Sequence, residues 1–514
     1  MQRPLKTSRR DVLAWGAALA SGLVACNRGE EHANAPVTPD RLTELSAIDG
    51  IRAMRQGEVS AEDYAAALLQ RCEAGKHLNA FITLDRDRVL EAARESDRRR
   101  ASGAQPGPLH GLPIPVKDSV NTRDYPTTGG TPALRNFRAA EDANLIRILV
   151  DAGAIVMGKT NIHELSFGWT SNNLAFGAVH NPYDISRIPG GSSGGTAAAV
   201  AAGMAPLGIG EDTQGSIRVP AALCGICGFR PTTGRYPNDG VMPITPLFDQ
   251  VGPLARTVSD LMLFDAVITG EAVASEAVSL QGVRLGVARE YYFDSLDFEV
   301  ERVINETLRK LTDAGAVLVE ADVPGLADLI QLTTAQVQLH DVVPRFSEYL
   351  DTYDVGITFE QLLAQASIDI QDTFKRYALP GAEFAIQEQD YIAARDVHLP
   401  ALRQALRDYF HQNDVAAMVF PATMAAATPI GMDVEVEING NMVSLETVMA
   451  RNISPGSTAG IPGLVLPAGL TTNGLPVGIE LEGPEGSDRS VLALGRAIEQ
   501  VIGRLPPPDI FGQR

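Results

Sequence analysis

Apolar positions recur along most of the chain with the spacing of helices or of short buried strands. The run Ser60-Ala61-Glu62-Asp63 precedes apolar residues at helical spacing, which predicts a capped amphipathic helix. The apolar stretch 111–118 predicts a buried strand with Lys117 at its end. Further helices are predicted over 88–102, 143–151, 258–268, 300–314 and 490–502, and further strands over 154–157, 283–288, 317–320, 416–420 and 463–467. This alternation indicates an α/β fold. We predict a single domain over 41–510, with a mostly helical region lining the substrate pocket at about 325–410.

Residues 1–25 have the pattern of an export signal rather than of a folded domain. Ser8-Arg9-Arg10 is a twin-arginine pattern, and the apolar run that follows is too short to span a bilayer as a mature helix. The run ends in Leu23-Val24-Ala25-Cys26, which resembles a bacterial lipobox and predicts lipidation of Cys26. The alternative is a plain cleaved signal. We predict a flexible tether over 26–40 and an exported protein, either periplasmic or anchored to the membrane as a lipoprotein through Cys26.

Composition narrows the possible partners and cofactors. A net charge of −20 makes a nucleic-acid partner improbable on electrostatic grounds. Four cysteines do not form a disulfide framework. Cys224 and Cys227 have redox or zinc spacing, but no second ligand pair follows, so we interpret them as small packing residues. We expect no metal and no cofactor.

Two glycine-flanked serine turns lie between 188 and 231, separated by an apolar segment. They are Gly190–Gly195, which contains Ser192 and Ser193, and the turn Gly215-Ser216-Ile217-Arg218. Glycine lets the backbone present a serine instead of burying it, so this segment is predicted to carry an active site. Ser193 is the centre of a literal G-x-S-x-G pattern. The residues before it are polar, however, and no histidine follows His411, so the α/β-hydrolase interpretation fails and lysine becomes the alternative base.

The residues now described resemble those of the amidase signature family. Pro115-Val116-Lys117-Asp118 looks like the family's catalytic-lysine strand, Gly190–Gly195 like its glycine–serine motif, and the Gly215–Pro220 segment like its nucleophile turn. Ser216 follows Ser192 by 24 residues and Lys117 by 99, spacings that agree with the family. The resemblance covers nearly all of the chain after the signal and implies a mixed central β-sheet covered by helices on both sides.

The resemblance also implies a role for each matched residue. Ser216 is the expected nucleophile, Ser192 a bridging serine in a cis peptide, and Lys117 the base. A free lysine has a pKa of about 10.4, so Lys117 must be buried to be neutral at working pH. Asp118 would oppose that neutrality, but strand alternation points it away from the amine.

The expected oxyanion hole consists of the backbone N–H groups of Thr213, Gln214, Gly215 and Ser216. Gln214 stands where the family often has glycine, which is expected to narrow the substrate range. Supporting roles are expected for three further residues: hydrogen bonding for Ser193 and Asp212, and packing or a salt bridge for Arg218.

The expected reaction is hydrolysis of a small-molecule carboxylic amide to an acid plus ammonia or an amine, through a Ser216 acyl-enzyme. The segments 181–184 and 228–236 look most like those of small aryl-acetamide amidases of the indoleacetamide type. Three alternatives stay open: an exported peptide C-terminal amidase, an esterase on the same scaffold, and a catalytically dead binding protein.

Overall fold

The computed structural model of the protein describes residues 39–272 and 278–510. The strands are β1 Phe81–Leu84, β2 Pro113–Lys117, β3 Ile155–Thr160, β4 Asn172–Asn173, β5 Gly177–Ala178, β6 Leu207–Asp212, β7 Cys227–Arg230, β8 Gln250–Ala255, β9 Arg284–Val287, β10 Val317–Glu320, β11 Ala417–Pro421, β12 Glu435–Ile438, β13 Asn441–Ser444, β14 Gly463–Leu470 and β15 Pro476–Glu482. Eleven of them form one central sheet with the order β1-β3-β2-β6-β8-β7-β14-β15-β11-β9-β10, and the others form the two-stranded ribbons β4-β5 and β12-β13.

Helices surround the large sheet. The α-helices are Pro39–Glu44, Ala47–Gln56, Ala61–Ala74, Arg86–Ala101, Asn144–Asp151, Gly194–Ala201, Arg218–Leu223, Val258–Thr269, Arg289–Tyr292, Phe298–Asp313, Leu326–Thr352, Phe359–Leu363, Ile368–Tyr377, Glu388–Ala393, Leu399–Asn413, Leu445–Ala450, Ser454–Ala459 and Asp488–Ile502. Short 3₁₀ turns occupy Lys76–Leu78, Pro132–Leu134 and Glu164–Ser166, and a π-helical turn occupies Ala394–His398.

The sheet is mixed, which confirms the fold class expected from the sequence. Strand β2 pairs in parallel with both β3 and β6, whereas β6 and β8 run antiparallel, as do β14 and β15. Every residue of β2, β6, β8 and β15 is buried, as expected for strands covered on both faces. Because β2 and β6 are parallel neighbours, their last residues, Lys117 and Asp212, lie at the same edge of the sheet.

Most predicted elements are present with boundaries shifted by a few residues, but four central strands were missed. β6, β7, β8 and β15 contain glycine or proline within short apolar runs, so their sequences lack the branched, alternating pattern by which strands are recognised. They are strands because the sheet on either side supplies partners for their backbone groups.

The amino-terminal predictions fall mostly outside the described residues. The signal over 1–25 and Cys26 lie outside them entirely. The first described helix begins at Pro39 and so overlaps the last two residues of the predicted tether over 26–40. Within the described ranges, no helix combines the length and the apolarity that crossing a membrane requires.

Candidate active site

Lys117 and Ser192 meet at the carboxyl-terminal edge of the sheet. The Lys117 Nζ donates a hydrogen bond to the Ser192 Oγ at 2.6 Å, and both residues are 0% exposed. Strand β2 brings the lysine to this edge, while the loop before helix Gly194–Ala201 brings the serine. The peptide bond between Gly191 and Ser192 is cis, as the resemblance implied. The structure therefore brings together two of the three residues expected to act in catalysis.

Glu211, which the sequence analysis did not single out, is a second partner of the lysine amine. The Lys117 Nζ lies 2.9 Å from the Glu211 Oε2 and 3.3 Å from the Glu211 backbone oxygen. Burial lowers the pKa of Lys117, and the neighbouring Glu211 opposes that shift without reversing it. The site thus favours a neutral amine at a lower pH than free lysine would require.

A second buried carboxyl group is linked to Glu211 through a threonine. The Thr213 Oγ1 lies 3.1 Å from the Glu211 Oε1 and 2.6 Å from the Asp249 Oδ1. The other Asp249 oxygen accepts hydrogen bonds from the backbone N–H groups of Ile244 and Thr245. Burial, with the charge of Glu211 as the second cause, raises the pKa of Asp249 to about 7.

Ser216 lies in a turn that Asp212 holds in shape. Gly215 has a φ of +97°, and a Cβ atom there would lie 2.9 Å from the Ile453 side chain, so the turn requires glycine. The Asp212 carboxylate accepts hydrogen bonds from the N–H groups of Gly215 at 2.8 Å and Ile217 at 3.1 Å. Ser216 is 5% exposed, more than Lys117 and Ser192. No side-chain hydrogen bond joins Ser216 to Ser192 within the described ranges.

The hydrogen bond from the Gly215 N–H to Asp212 corrects the expected oxyanion hole. The Gly215 N–H is engaged by Asp212, so it is not a free donor towards a substrate. Among the described residues, the N–H groups of Thr213, Gln214 and Ser216 have no backbone acceptor. Three of the four expected donors therefore remain available.

Arg218 joins this turn to β15 through a fully buried charge cluster. Its guanidinium contacts Asp212 at 3.2 Å, Glu482 at 3.0 Å and, more closely still, Glu480. Burial opposes ionisation of Asp212, but Arg218 and Arg230 outweigh it and hold the pKa of Asp212 below its usual value. The expected salt-bridge role of Arg218 is therefore present in the structure.

Ser193 and Asp118 contact other residues of the site's framework. The Ser193 Oγ donates to the Glu211 backbone oxygen at 3.2 Å, and its N–H donates to the Ser216 carbonyl at 3.2 Å. Ser193 thereby ties the two serine turns together. Asp118 points away from Lys117, as strand alternation predicted, and pairs with Lys159 at 3.2 Å.

Gln214 connects the expected nucleophile turn to the helical region. Its Nε2 donates to the Thr458 Oγ1 at 3.2 Å, and Thr458 is 2.8 Å from the Thr334 hydroxyl on helix Leu326–Thr352. The Gln214 carbonyl accepts a hydrogen bond from the Trp169 indole at 3.0 Å. The Gln214 side chain is therefore fixed in place beside Ser216.

The cysteines of the described ranges are reduced and buried, namely Cys72, Cys224 and Cys227. Cys224 lies behind the glycine–serine loop, where its Sγ donates to the Pro189 carbonyl at 3.3 Å. Burial raises the pKa of both Cys224 and Cys227, which makes their thiols unreactive. In the same ranges, no group of three potential ligands could hold a metal ion.

Comparison with known proteins gives one consistent answer. Residues 63–492 match the Amidase family. The chain is 39% identical over 466 residues to an indoleacetamide hydrolase of Agrobacterium vitis, covering 91% of this chain and 99% of the relative. It is 37% identical over 489 residues to a mandelamide hydrolase of Pseudomonas putida, covering 92% and 94% of the two chains. The crystal structure of peptide amidase from Stenotrophomonas maltophilia superposes with a TM-score of 0.75 at 29% identity, covering 91% of this chain and 99% of that one. The chain therefore belongs to the amidase family and is an amidohydrolase that cleaves the carbon–nitrogen bond of amides.

Proposed function

We propose that this amidase hydrolyses small aryl-acetamides to the corresponding acid and ammonia, with Ser216 as nucleophile, Ser192 as proton carrier and Lys117 as base. The observation that carries this proposal is the 2.6 Å contact between the Lys117 Nζ and the Ser192 Oγ, made by two fully buried residues beside the Ser216 turn. A lysine amine in that position can accept a proton only if it is neutral, and burial lowers its pKa in that direction.

The proposed reaction has two stages, acylation of Ser216 and hydrolysis of the acyl-enzyme. The Ser216 oxygen attacks the amide carbonyl carbon while its proton passes to Ser192, and the proton of Ser192 passes to Lys117. The carbonyl oxygen becomes an oxyanion that the N–H groups of Thr213, Gln214 and Ser216 stabilise, with one such donor typically worth about 3 kcal/mol. The protons then return along the same path to the leaving nitrogen as the carbon–nitrogen bond breaks. A water oxygen then attacks the acyl carbon while its proton passes through Ser192 to Lys117. The proton returns through Ser192 to the Ser216 oxygen as the ester bond breaks, which releases the acid and restores the enzyme.

The substrate class rests on sequence similarity and on one side chain. The relatives named for hydrolysis of indoleacetamide and mandelamide are 39% and 37% identical to this chain, whereas the peptide amidase is 29% identical. Gln214, held against Thr458, places an amide side chain on the proposed oxyanion loop. A bulkier residue at this point favours a small acyl group over an amidated peptide.

A substrate panel tests the class. Ammonia release would be measured for indole-3-acetamide, mandelamide, butyramide and an amidated dipeptide, with the methyl ester of indole-3-acetic acid assayed for acid release. We expect the highest kcat/KM on the two aryl-acetamides. A higher value on the amidated dipeptide would identify a peptide amidase instead, and a higher value on the ester would identify an esterase.

Two variants and a covalent probe test the assigned roles. Ser216→Ala and Lys117→Ala should each lower kcat by a factor of at least about 10² while the circular dichroism spectrum stays that of the wild type. A fluorophosphonate should label the wild type at Ser216 and leave Ser216→Ala unlabelled. A kcat close to that of the wild type in either variant would rule out the assignment. A wild type that neither hydrolyses amides nor reacts with the probe would be a binding protein.

We also propose that the chain is exported and anchored to a membrane through a lipid on Cys26. Support comes from the twin-arginine pattern at Arg9 and Arg10 and from the lipobox that ends at Cys26, both of which lie outside the described residues. Expression in a bacterium with a twin-arginine pathway, followed by fractionation, tests this. The wild type should enter the membrane fraction, Cys26→Ser should not, and Arg9→Lys with Arg10→Lys should stay in the cytoplasm.

A further inference from the structure

We propose that Glu211 is a positioning residue of this amidase, which aims the lone pair of Lys117 at Ser192 and, together with Asp249, sets the pH at which the lysine becomes a base. The proposal rests on the function proposed above, in which Lys117 accepts the proton of Ser192. It adds two carboxyl groups to the three residues that the family resemblance supplied.

The orientation of the amine follows from hydrogen-bond counting. The Lys117 Nζ has three partners: the Ser192 Oγ at 2.6 Å, the Glu211 Oε2 at 2.9 Å and the Glu211 backbone oxygen at 3.3 Å. A protonated amine fills these positions with its three N–H donors. A neutral amine has two hydrogens and one lone pair, and neither a carboxylate nor a carbonyl oxygen can donate to that lone pair. Both hydrogens must therefore point at Glu211, and the lone pair must face the Ser192 hydroxyl.

The Glu211 carboxylate is itself held on both oxygens. Its Oε2 accepts from the Ser166 hydroxyl at 3.1 Å and from the Ser119 hydroxyl at 3.3 Å, in addition to the lysine. Its Oε1 lies 3.1 Å from the Thr213 Oγ1. Glu211 is 1% exposed, so water does not compete for these positions. A carboxylate fixed from three directions in this way fixes the lysine amine in turn.

Asp249 is coupled to Glu211 because the two carboxyl groups share the single hydroxyl hydrogen of Thr213. That hydroxyl lies between the Glu211 Oε1 and the Asp249 Oδ1, so it can donate to one carboxyl group at a time. Two buried carboxyl groups this close ionise together only at a cost, which agrees with the raised pKa of Asp249, about 7. The negative charge beside Lys117 therefore increases as Asp249 loses its proton.

Other charged groups near this arrangement have partners of their own. Asp118 pairs with Lys159, and Asp341 accepts a hydrogen bond from the Thr245 hydroxyl. Asp212, the next residue of β6, is paired with Arg218 and Arg230. His163, across from Ser192, has its pKa lowered by burial and, to a smaller extent, by Lys117, so it adds no charge near neutral pH. Burial lowers the pKa of Lys117, and Glu211, Asp212 and Asp249 oppose that shift in decreasing order. Arg218 and Arg230 keep the pKa of Asp212 below its usual value, so Asp249 is the second carboxyl group whose charge changes near neutral pH.

Four variants distinguish the effect of the carboxylate charges from the effect of their position and from changes in the stability of the protein. Glu211→Gln keeps the length of the side chain and removes its charge, whereas Glu211→Asp keeps the charge and withdraws it by one methylene. Asp249→Asn removes the second carboxyl group. Asp260→Asn is the matched control, because Asp260 is also fully buried and accepts a backbone hydrogen bond, but from Ile48 in another part of the fold. For each variant, kcat and KM would be measured from pH 5 to 10 on the best amide of the panel, together with a thermal melt.

The direction of each expected change in the pH profile follows from the charge that the variant removes. Glu211 favours the ammonium form of Lys117, so Glu211→Gln should make the lysine lose its proton at lower pH. The acidic limb of the plot of kcat/KM against pH should therefore move to lower pH by about 1–3 units, the usual effect of an adjacent opposite charge. Asp249→Asn should move the limb in the same direction by less. Glu211→Asp should leave the limb close to that of the wild type but lower kcat by at least roughly 10-fold, since it misplaces the base by about 1 Å. KM should change little in all of them, and Asp260→Asn should leave the limb unmoved.

The outcomes distinguish this proposal from the proposed function. If Glu211→Gln and Asp249→Asn both keep the wild-type limb while Lys117→Ala is inactive, Lys117 is the base and the proposal for Glu211 is overturned. If Lys117→Ala is active, the proposed function itself fails. Should Glu211→Gln not fold, the shifted pH profile of Asp249→Asn and the lowered kcat of Glu211→Asp still decide, because a merely structural salt bridge would change the melting temperatures of these variants and neither of those two quantities.

Discussion

Replacing Lys117 by methionine should both destabilise the protein and inactivate it. Adding Glu211→Gln should restore the stability but not the activity. Methionine keeps most of the length of the side chain but leaves Glu211 buried, at 1% exposure, opposite an apolar group. Glu211 then retains only the hydroxyl donors of Ser119, Ser166 and Thr213. A buried carboxylate deprived of its cation is destabilising, whereas a neutral amide in the same place is not.

The size of the effect follows from the burial of the pair. Removing one partner of a buried ion pair costs about 3–5 kcal/mol of folding free energy. The entropy of unfolding of a chain of this length is roughly 1 kcal/mol/K, so the melting temperature should fall by only about 3–5 °C. Loss of the base should lower kcat by a factor of about 10² to 10⁴. In the double variant Lys117→Met with Glu211→Gln, most of the stability should return and none of the activity.

Calorimetry and ammonia release on the same preparations provide the assay. Lys159→Met is the matched control, because Lys159 is also 0% exposed and also pairs with a buried carboxylate, Asp118, at 3.2 Å. It should lose a similar amount of stability while keeping measurable turnover well below its melting temperature. A double variant that regained turnover, or a Lys117→Met variant whose activity fell only in proportion to its unfolded fraction, would refute the role of Lys117 as base.

Three further predictions concern the surroundings of the site. Asp212→Asn should lower both kcat and the melting temperature, because it leaves the Gly215 turn with one acceptor oxygen in place of two; wild-type kinetics would contradict this. Gln214→Gly should raise kcat/KM on bulky amides relative to small ones by roughly 10-fold or more in the substrate panel; an unchanged ratio would show that this side chain does not limit the pocket. Burial raises the pKa of Glu480 from 4.5 to about 7, so the free energy of unfolding should include a contribution that is lost as pH rises through that range. Urea titrations at pH 5 and pH 8 should show a smaller decline for Glu480→Gln than for the wild type.

The residues that could be predicted from sequence are those whose backbone setting has a local signature. Ser192 and Ser216 are recognisable because glycines flank them, and the structure requires glycine at Gly215, where φ is +97°. Lys117 is recognisable because it ends a short apolar run that contains Pro113 and Pro115. Each of these signals comes from neighbours in the chain, so it can be recognised without knowledge of the fold.

The hydrogen-bond donors around the expected oxyanion hole were harder to assign. The turn 213–216 offers four backbone N–H groups, and nothing in its sequence distinguishes the one at Gly215. Asp212 removes that donor because the turn bends back onto the end of β6, bringing the Asp212 Oδ1 to 2.8 Å from the Gly215 nitrogen. Short-range geometry of this kind depends on φ and ψ angles that a residue pattern only restricts.

Glu211 was missed for a different reason, which lies in the order of the strands. In sequence it is an acidic residue at the end of a glycine-containing run, 94 positions from Lys117. It becomes the charge partner of the lysine because β6 lies beside β2 and runs parallel to it, so that both strands end at the same edge. Had β8 taken the place of β6 beside β2, the same sequence motifs would have supplied the same two serines and lysine without this carboxylate. The motif identifies Lys117 as the proposed base, whereas the strand order decides which carboxylate lies beside its amine.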